Sequence, residues 1–318
     1  MTSFIAKKSL GQHFLHAPNV VGAMIHAARI EPNMTVLEIG PGKGILTRGL
    51  LNAGANVIAV EKDERSIDYM KENFAAEIDS GKLKLVQDDT LKIKPQDLDL
   101  KKKKYVIVAN IPYYITGEIL RKFLTAEAYP SRMVLLVQKE VAKRIVATNG
   151  KESILSISVK AYGEPKYIDT VPKRFFRPMP SVDSAIILID NMGKKTFTSN
   201  QGESLDTSLG KLRGEHSMRE LGLEKHGVVC RKNEFSAEQG ELRHSNLCKN
   251  NKIDEKRFFD IVRAGFAHKR KVLRGNLAKV IPAQTLEKLW TSKNWPINAR
   301  AETFTLEQWI DIVKETRS

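Results

Sequence analysis

Short apolar runs, each closed by a turn residue and followed by a stretch at helical spacing, set the rhythm of residues 34–146. MTVLEIGPGKGILTRGLLNAG (34–54) reads as a strand, a glycine turn and a helix. NVIAVEKD (56–63) is a second strand, and DERSIDYMKENFAAEI (63–78) a second helix. KLKLVQDD (82–89) gives a third strand. KKKKYVIVANIPYY (101–114) gives a fourth, with a helix running to about Leu124. RMVLLVQKEVAKRIV (132–146) repeats the strand-then-helix pattern, and residues 19–30 predict a short amphipathic helix ahead of it all. ILSISVKAYG (154–163), PKYIDTVPKRFF (165–176) and DSAIILID (183–190) read as later strands without helices between them. Strands alternating with helices predict an α/β fold with a doubly wound parallel sheet, and the late strands an antiparallel edge.

The pattern fails at Gly193. Residues 193–252 are rich in Gly, Ser, Asn, Glu and Lys and show no sustained period, which predicts a flexible insertion or linker. Periodicity returns at Ile253. Phe258, Ile261, Val262 and Phe266 fall at helical spacing. AQTLEKLW and TLEQWIDIVKE predict two more helices, the last opened by Thr305 and Gln308 at capping-box spacing. The expected layout is a domain over 1–192, the insertion 193–252, and a small all-helical domain over 253–318.

Charge narrows the partners. Lys and Arg number 52 against 37 Asp and Glu, a net charge of +15 over 318 residues. Such a basic chain is expected to meet a polyanion: RNA, DNA or an anionic membrane surface. No run approaches the roughly 18 apolar residues of a membrane span. The segment MTSFIAKKSLGQHFL lacks the apolar core of a signal peptide. Two cysteines do not make a disulfide framework, so a reducing cytoplasm is the expected compartment.

The turn GPGKG (40–44) places three glycines at alternate positions after a strand. A dinucleotide fingerprint G-x-G-x-x-G would need glycine at 45, where Ile stands. Glu38 precedes the first glycine by two residues. Both features point to S-adenosylmethionine (SAM), whose loop carries no pyrophosphate. Glu61, at the end of the second strand, is placed to accept from ribose hydroxyls. Asp89, after the third, is placed to accept from an adenine amine. Glycines and acids also close ordinary strands, so the weight lies in three successive strand ends bearing Gly, Glu and Asp.

The fourth strand ends in Asn110, Ile111, Pro112, Tyr113 and Tyr114. Strand ends of a parallel sheet share one edge, so Asn110 should face the cofactor crevice. Its amide oxygen can accept from an exocyclic NH₂, as can the Ile111 and Pro112 carbonyls. Tyr113 can stack on a base. A plain strand-to-turn connection with core aromatics is the bland alternative. Beside a SAM loop, a site for a flipped-out adenine is the stronger reading.

NIPYYIT resembles motif IV of the ribosomal RNA adenine N6-dimethyltransferases, and the resemblance extends along the chain. KKSLGQHFL (7–15) is similar to that family's N-terminal cofactor motif. EIGPGKGILT, VEKD and QDDTLK follow in the family's order. VPKRFFRPMPSVDSAII (171–187) is similar to its late aromatic-proline segment, and FFDIVRAGFAHKRKVLRGNL (258–277) to the start of its C-terminal domain. The bacterial small-subunit branch is the nearest in pattern. The resemblance implies a Rossmann-like SAM-dependent methyltransferase sheet that dimethylates two adjacent adenines near the 3′ end of small-subunit rRNA, with a role in subunit biogenesis. It implies His13, Leu15, Gly40, Glu61, Asp89 and Asn110 as cofactor contacts, although family members often carry Asn where His13 stands. It implies Asn110 and Tyr113 around the adenine, beside the Pro112 carbonyl already read as an acceptor. Phe176 would close over the other face, with Phe175 as the neighbouring candidate. His268, Lys269, Arg270, Lys271 and Arg274, read as lying on a helix of the C-terminal domain, are the expected RNA grip. The run 101–104 is left undecided between phosphate contact and a solvated surface. A monomer is expected when free, and no metal.

KHGVVCRKN (225–233) and RHSNLCKNN (243–251) echo one another, so His226, Cys230, His244 and Cys248 pose a His₂Cys₂ zinc site against a chance repeat in a polar loop. The polar loop is the expected reading. Three rival functions are compatible with the chain: a non-catalytic assembly factor, a DNA adenine methyltransferase, and a large-subunit rRNA methylase of the macrolide-resistance type. The intact Gly40, Glu61, Asp89, Asn110 and Tyr113 set argues against the first. Ile111 in place of proline argues against the second, and the FRPMPSVDSA segment against the third.

Overall fold

The computed structural model describes residues 12–194, 196–197 and 253–316. The strands are β1 (Phe14–Leu15), β2 (Thr35–Ile39), β3 (Asn56–Glu61), β4 (Leu83–Gln87), β5 (Val106–Asn110), β6 (Arg132–Gln138), β7 (Glu164–Val171), β8 (Phe176–Arg177) and β9 (Ser184–Asp190). Among the described residues, β4-β3-β2-β5-β6-β9-β7 form one sheet and β1-β8 a second, two-stranded one. Strands β2 to β6 pair in parallel, whereas β9 runs antiparallel to both β6 and β7. The parallel core and antiparallel edge are therefore as the periodicity predicts.

Helices cover both faces: α1 (Pro18–Ala28), α2 (Ile45–Asn52), α3 (Glu64–Asn73), α4 (Ala75–Asp79), α5 (Thr116–Thr125), α6 (Lys139–Val146) and α7 (Ile154–Lys160). Strand β5 shows why its sequence is a continuous apolar run. Ile107 and Ala109 belong to one hydrophobic cluster, Val106 and Val108 to the other, so neither face tolerates a polar side chain.

Residues 154–163 are not a strand. Ser153 and Ser156 form a reciprocal cap: the Ser156 N–H donates to Ser153 Oγ at 3.1 Å, and the Ser153 N–H to Ser156 Oγ at 2.7 Å. That starts α7, whose Ile157 and Val159 are buried. The β-branched residues that signal a strand are tolerated here because tertiary packing overrides a weak propensity.

The C-terminal helices are α8 (Glu255–Gly265), α9 (Leu273–Leu277), α10 (Ala283–Ser292) and α11 (Leu306–Glu315). Asp254 caps α8 through the Arg257 N–H at 2.6 Å. Thr305 and Gln308 form the expected capping box on α11. The Tyr162 hydroxyl donates to Glu255 Oε1 at 2.6 Å, and Phe197 lies against Tyr162 and Phe258 at 5.2 and 5.4 Å between ring centroids. One hydrophobic cluster runs from Ile157 and Tyr162 through Phe258 and Val262 to Trp309.

The basic run 268–271 does not lie on a helix. It forms the turn between α8 and α9, and only Arg274 is helical. The Asn276 amide, itself buried, donates to the Gly265 carbonyl at 2.7 Å and to the His268 carbonyl at 3.1 Å. These bonds bend the chain out of α8. A Cβ on Gly265 would meet the Trp309 ring at 2.3 Å, so this glycine is dictated by close approach. His226, Cys230, His244 and Cys248 lie outside the described residues. No described helix is long and apolar enough to cross a membrane.

A candidate active-site crevice

The carboxyl ends of β2, β3 and β5 and the residues after β4 meet at one sheet edge. They line a crevice with Gly40, Glu61, Asp89 and Asn110, joined by His13 and Leu15 from the N-terminal segment. Sequence reasoning placed all six there. The glycine turn needs its glycines: Gly42 has φ +57°, and a Cβ on it would sit 2.9 Å from the Phe14 ring.

Glu61 is fixed by backbone donors. Its Oε1 accepts from the Lys62 and Asp63 N–H groups, both at 2.8 Å, and Oε2 from the Gly42 N–H at 3.3 Å. Burial pushes its carboxyl up, against the pull of those donors. Glu38 is fully buried, and Thr47 Oγ1 donates to its Oε2 at 2.6 Å. Burial raises its pKa to about 8, which Thr47 only partly offsets. Two adjacent acids thus line one crevice, one of them proton-bearing at neutral pH. Asp89 Oδ1 accepts from the Leu91 N–H and Oδ2 from Lys62 Nζ, both at 3.0 Å. The Leu91 N–H first, and then Lys62, hold its carboxyl below the usual range.

Asn110 donates its Nδ2 to the His13 backbone carbonyl at 3.3 Å. The acceptor on that side fixes which way the amide points and leaves Oδ1 as the atom available to a ligand. Pro112 closes the strand, but its carbonyl already accepts from the Ile115 N–H at 3.2 Å, which leaves one lone pair. Tyr113 is anchored through its hydroxyl to Ser184 Oγ at 2.7 Å. Its ring stacks on His13 at 5.8 Å with a 24° tilt, and His13 Nδ1 donates to the Pro178 carbonyl at 2.7 Å. These ties among His13, Asn110, Tyr113 and Pro178 join residues far apart in sequence and have no local signature.

Phe176 is corrected. It is 1% exposed, sits in the core cluster with Val20 and Met24, and is absent from the crevice lining. The cause is the β1–β8 pairing, Leu15 opposite Phe176, which turns the ring inward. Phe175 is half-buried beneath the Arg174 guanidinium and does not line the crevice either. The basic turn at 268–271 with Arg274 is likewise not among the lining residues.

A parallel sheet with a glycine turn and strand-end acids at its carboxyl edge, extended by an antiparallel edge, defines a Rossmann-like methyltransferase. Residues 3–203 match the family model described as ribosomal RNA adenine dimethylase, and the chain belongs to that family. The ribosomal RNA small subunit methyltransferase A of one Dehalococcoides mccartyi strain is 33% identical over 306 residues, covering 96% of this chain and 86% of that protein. The protein of that name from another strain is 45% identical over 184 residues, so the chain spans 62% of its length and 58% of its own. The one from Fusobacterium nucleatum is 29% identical over 98% of this chain and 97% of that protein. Two solved structures share the fold: the 23S rRNA methyltransferase ErmE, with TM-score 0.64, 21% identity and coverage of 95% and 99%, and a Plasmodium falciparum dimethyladenosine transferase, with TM-score 0.62, 22% identity and coverage of 94% and 96%.

Proposed function

We propose that the protein is a SAM-dependent rRNA adenine dimethyltransferase acting on the exocyclic N6 of two adjacent adenines near the 3′ end of small-subunit rRNA. The observation that carries this reading is the Asn110 amide, held by the His13 carbonyl so that its oxygen is left for an amine beside two buried acids.

The donor set suits SAM. Glu61, oriented by three N–H groups, has one acceptor site left on Oε2 for a ribose hydroxyl, and Asp89 has sites left for an adenine amine. The Glu61 carboxylate favours a cationic ligand near the glycine turn, while protonated Glu38 adds no charge there. When bound, SAM supplies a methyl group on a sulfonium, already activated for in-line displacement. The chain's own residues then have to position the acceptor nitrogen. Asn110 Oδ1 and the remaining lone pair of the Pro112 carbonyl accept from N6, which favours a pyramidal nitrogen and offsets its growing positive charge. The Tyr113 ring, locked through Ser184, offers a π-face to the base and to that charge. The methylated nitrogen is acidic enough to lose its proton to water. We assign residues 1–192 to this chemistry, and His268, Lys269, Arg270, Lys271 and Arg274 to the RNA phosphates, as positioning contacts.

The test is incubation of the purified protein with labelled SAM and unmethylated small ribosomal subunits, followed by mapping of modified bases. Dimethyladenosine at adjacent adenines near the 3′ end is the expected product. Incorporation only into large subunits would redirect the reading to the large-subunit methylases. No incorporation with SAM still bound would favour an assembly factor.

A further inference from the structure

Tyr114 stands at the lip of the crevice. It helps to line it, yet is 64% exposed. Its neighbours in the single 3₁₀ turn Tyr113–Ile115 are held inward: Tyr113 is bonded to Ser184, and Ile115 packs against the main core. Three residues per turn put 113 and 116 on one side and leave 114 facing out. Lone exposed aromatics are ordinary on protein surfaces. This one is set apart by its place at a pocket mouth, where Lys62, another lining residue, interacts with it electrostatically. Met179, 61% exposed, follows Pro178, whose carbonyl holds the His13 ring that stacks on Tyr113. Lys173, Arg174 and Arg177 on the same segment are also exposed. Exposed aromatic and apolar faces interleaved with cations are what single-stranded nucleic acid requires of a protein surface.

We propose that Tyr114 is a stacking platform for the nucleotide next to the methylated adenine, a second base subsite outside the methyl-transfer pocket. The inference rests on the reading that an adenine enters at Asn110. Drawing a base out of its stack leaves its neighbour with one bare face. An aromatic ring at the mouth replaces the lost contact, and accepts any base because every base has a π-face. With two adjacent target adenines, the subsite holds whichever one is not in the pocket.

A mutant cycle tests this. Dissociation constants are measured for the full chain and a short hairpin RNA carrying the target, intact or with an abasic nucleotide beside the target adenine. Wild type and Tyr114→Phe should each lose about tenfold in affinity when the neighbouring base is removed. Tyr114→Ala should bind the intact RNA about tenfold more weakly and be indifferent to the abasic change, because its partner ring is already gone. SAM affinity should stay within twofold in both variants. Additive losses, an unchanged Tyr114→Ala constant, or a matching loss of SAM affinity would each overturn the subsite. Methylation of the intact RNA by wild type is scored separately. Its absence would remove the reading of the Asn110 pocket, while the cycle would still decide Tyr114.

Discussion

Replacing Asn110 with alanine removes the crevice acceptor and frees the His13 carbonyl that held it. The expected loss in the methylation rate constant is about 10²–10³-fold, the size seen when one preorganised polar contact to developing charge is deleted. Single-turnover assays check it, and near-normal turnover would remove Asn110 from the mechanism. Glu38 makes a different prediction. Native Glu38 keeps its proton up to about pH 8, while the unfolded chain loses it near 4.5. Between those values the native state binds more protons, so this group's contribution to stability falls as pH rises. Glu38→Gln should therefore melt above wild type at pH 7.5, with the difference closing towards pH 4.5. Thermal scans across that range read it directly. Glu38 was visible in the sequence as an acid before a glycine turn, but its proton was not. That depends on complete burial, which the chain acquires only once the sheet is assembled.

Among elements, the best-read were those whose signal is local. The glycine turn, the strand-end acids and the Thr305–Gln308 cap are each complete within a few residues. The misread ones depend on distant partners. The inward turn of Phe176 needs Leu15 beside it, and the bend at 268–271 needs Asn276 and Trp309. The Ser153–Ser156 cap of α7 was available in the sequence and lost to the β-branched run after it. Two tests belong at this scale. Gly265→Ala pushes a methyl group into the Trp309 ring and should cost about 1–3 kcal/mol of stability, measured by denaturant unfolding. Exchanging Arg270 and Lys271 for Glu should weaken RNA binding and lower the log–log salt slope by about 1.5, as expected for two lost phosphate contacts. An unchanged slope would take the turn out of the RNA interface.

Across the whole molecule, the sheet and the C-terminal helices share one hydrophobic cluster, bridged by Tyr162, Glu255 and Phe197. Neither part can open without exposing the other's apolar surface. The expected calorimetric trace is a single cooperative transition, and two resolved peaks would show separate folding units. The same bridge bears on what the chain can carry. Phe197, just before residues 198–252, has its ring against Phe258, just after them. The intervening stretch thus leaves and rejoins the core at one spot. The entropic cost of closing a flexible connection there grows only with the logarithm of its length, about 0.6 kcal/mol per doubling. A connection of another length joined at these two rings should therefore shift stability by only about 0.6 kcal/mol per doubling and leave the crevice, at the opposite ends of the sheet's strands, in place.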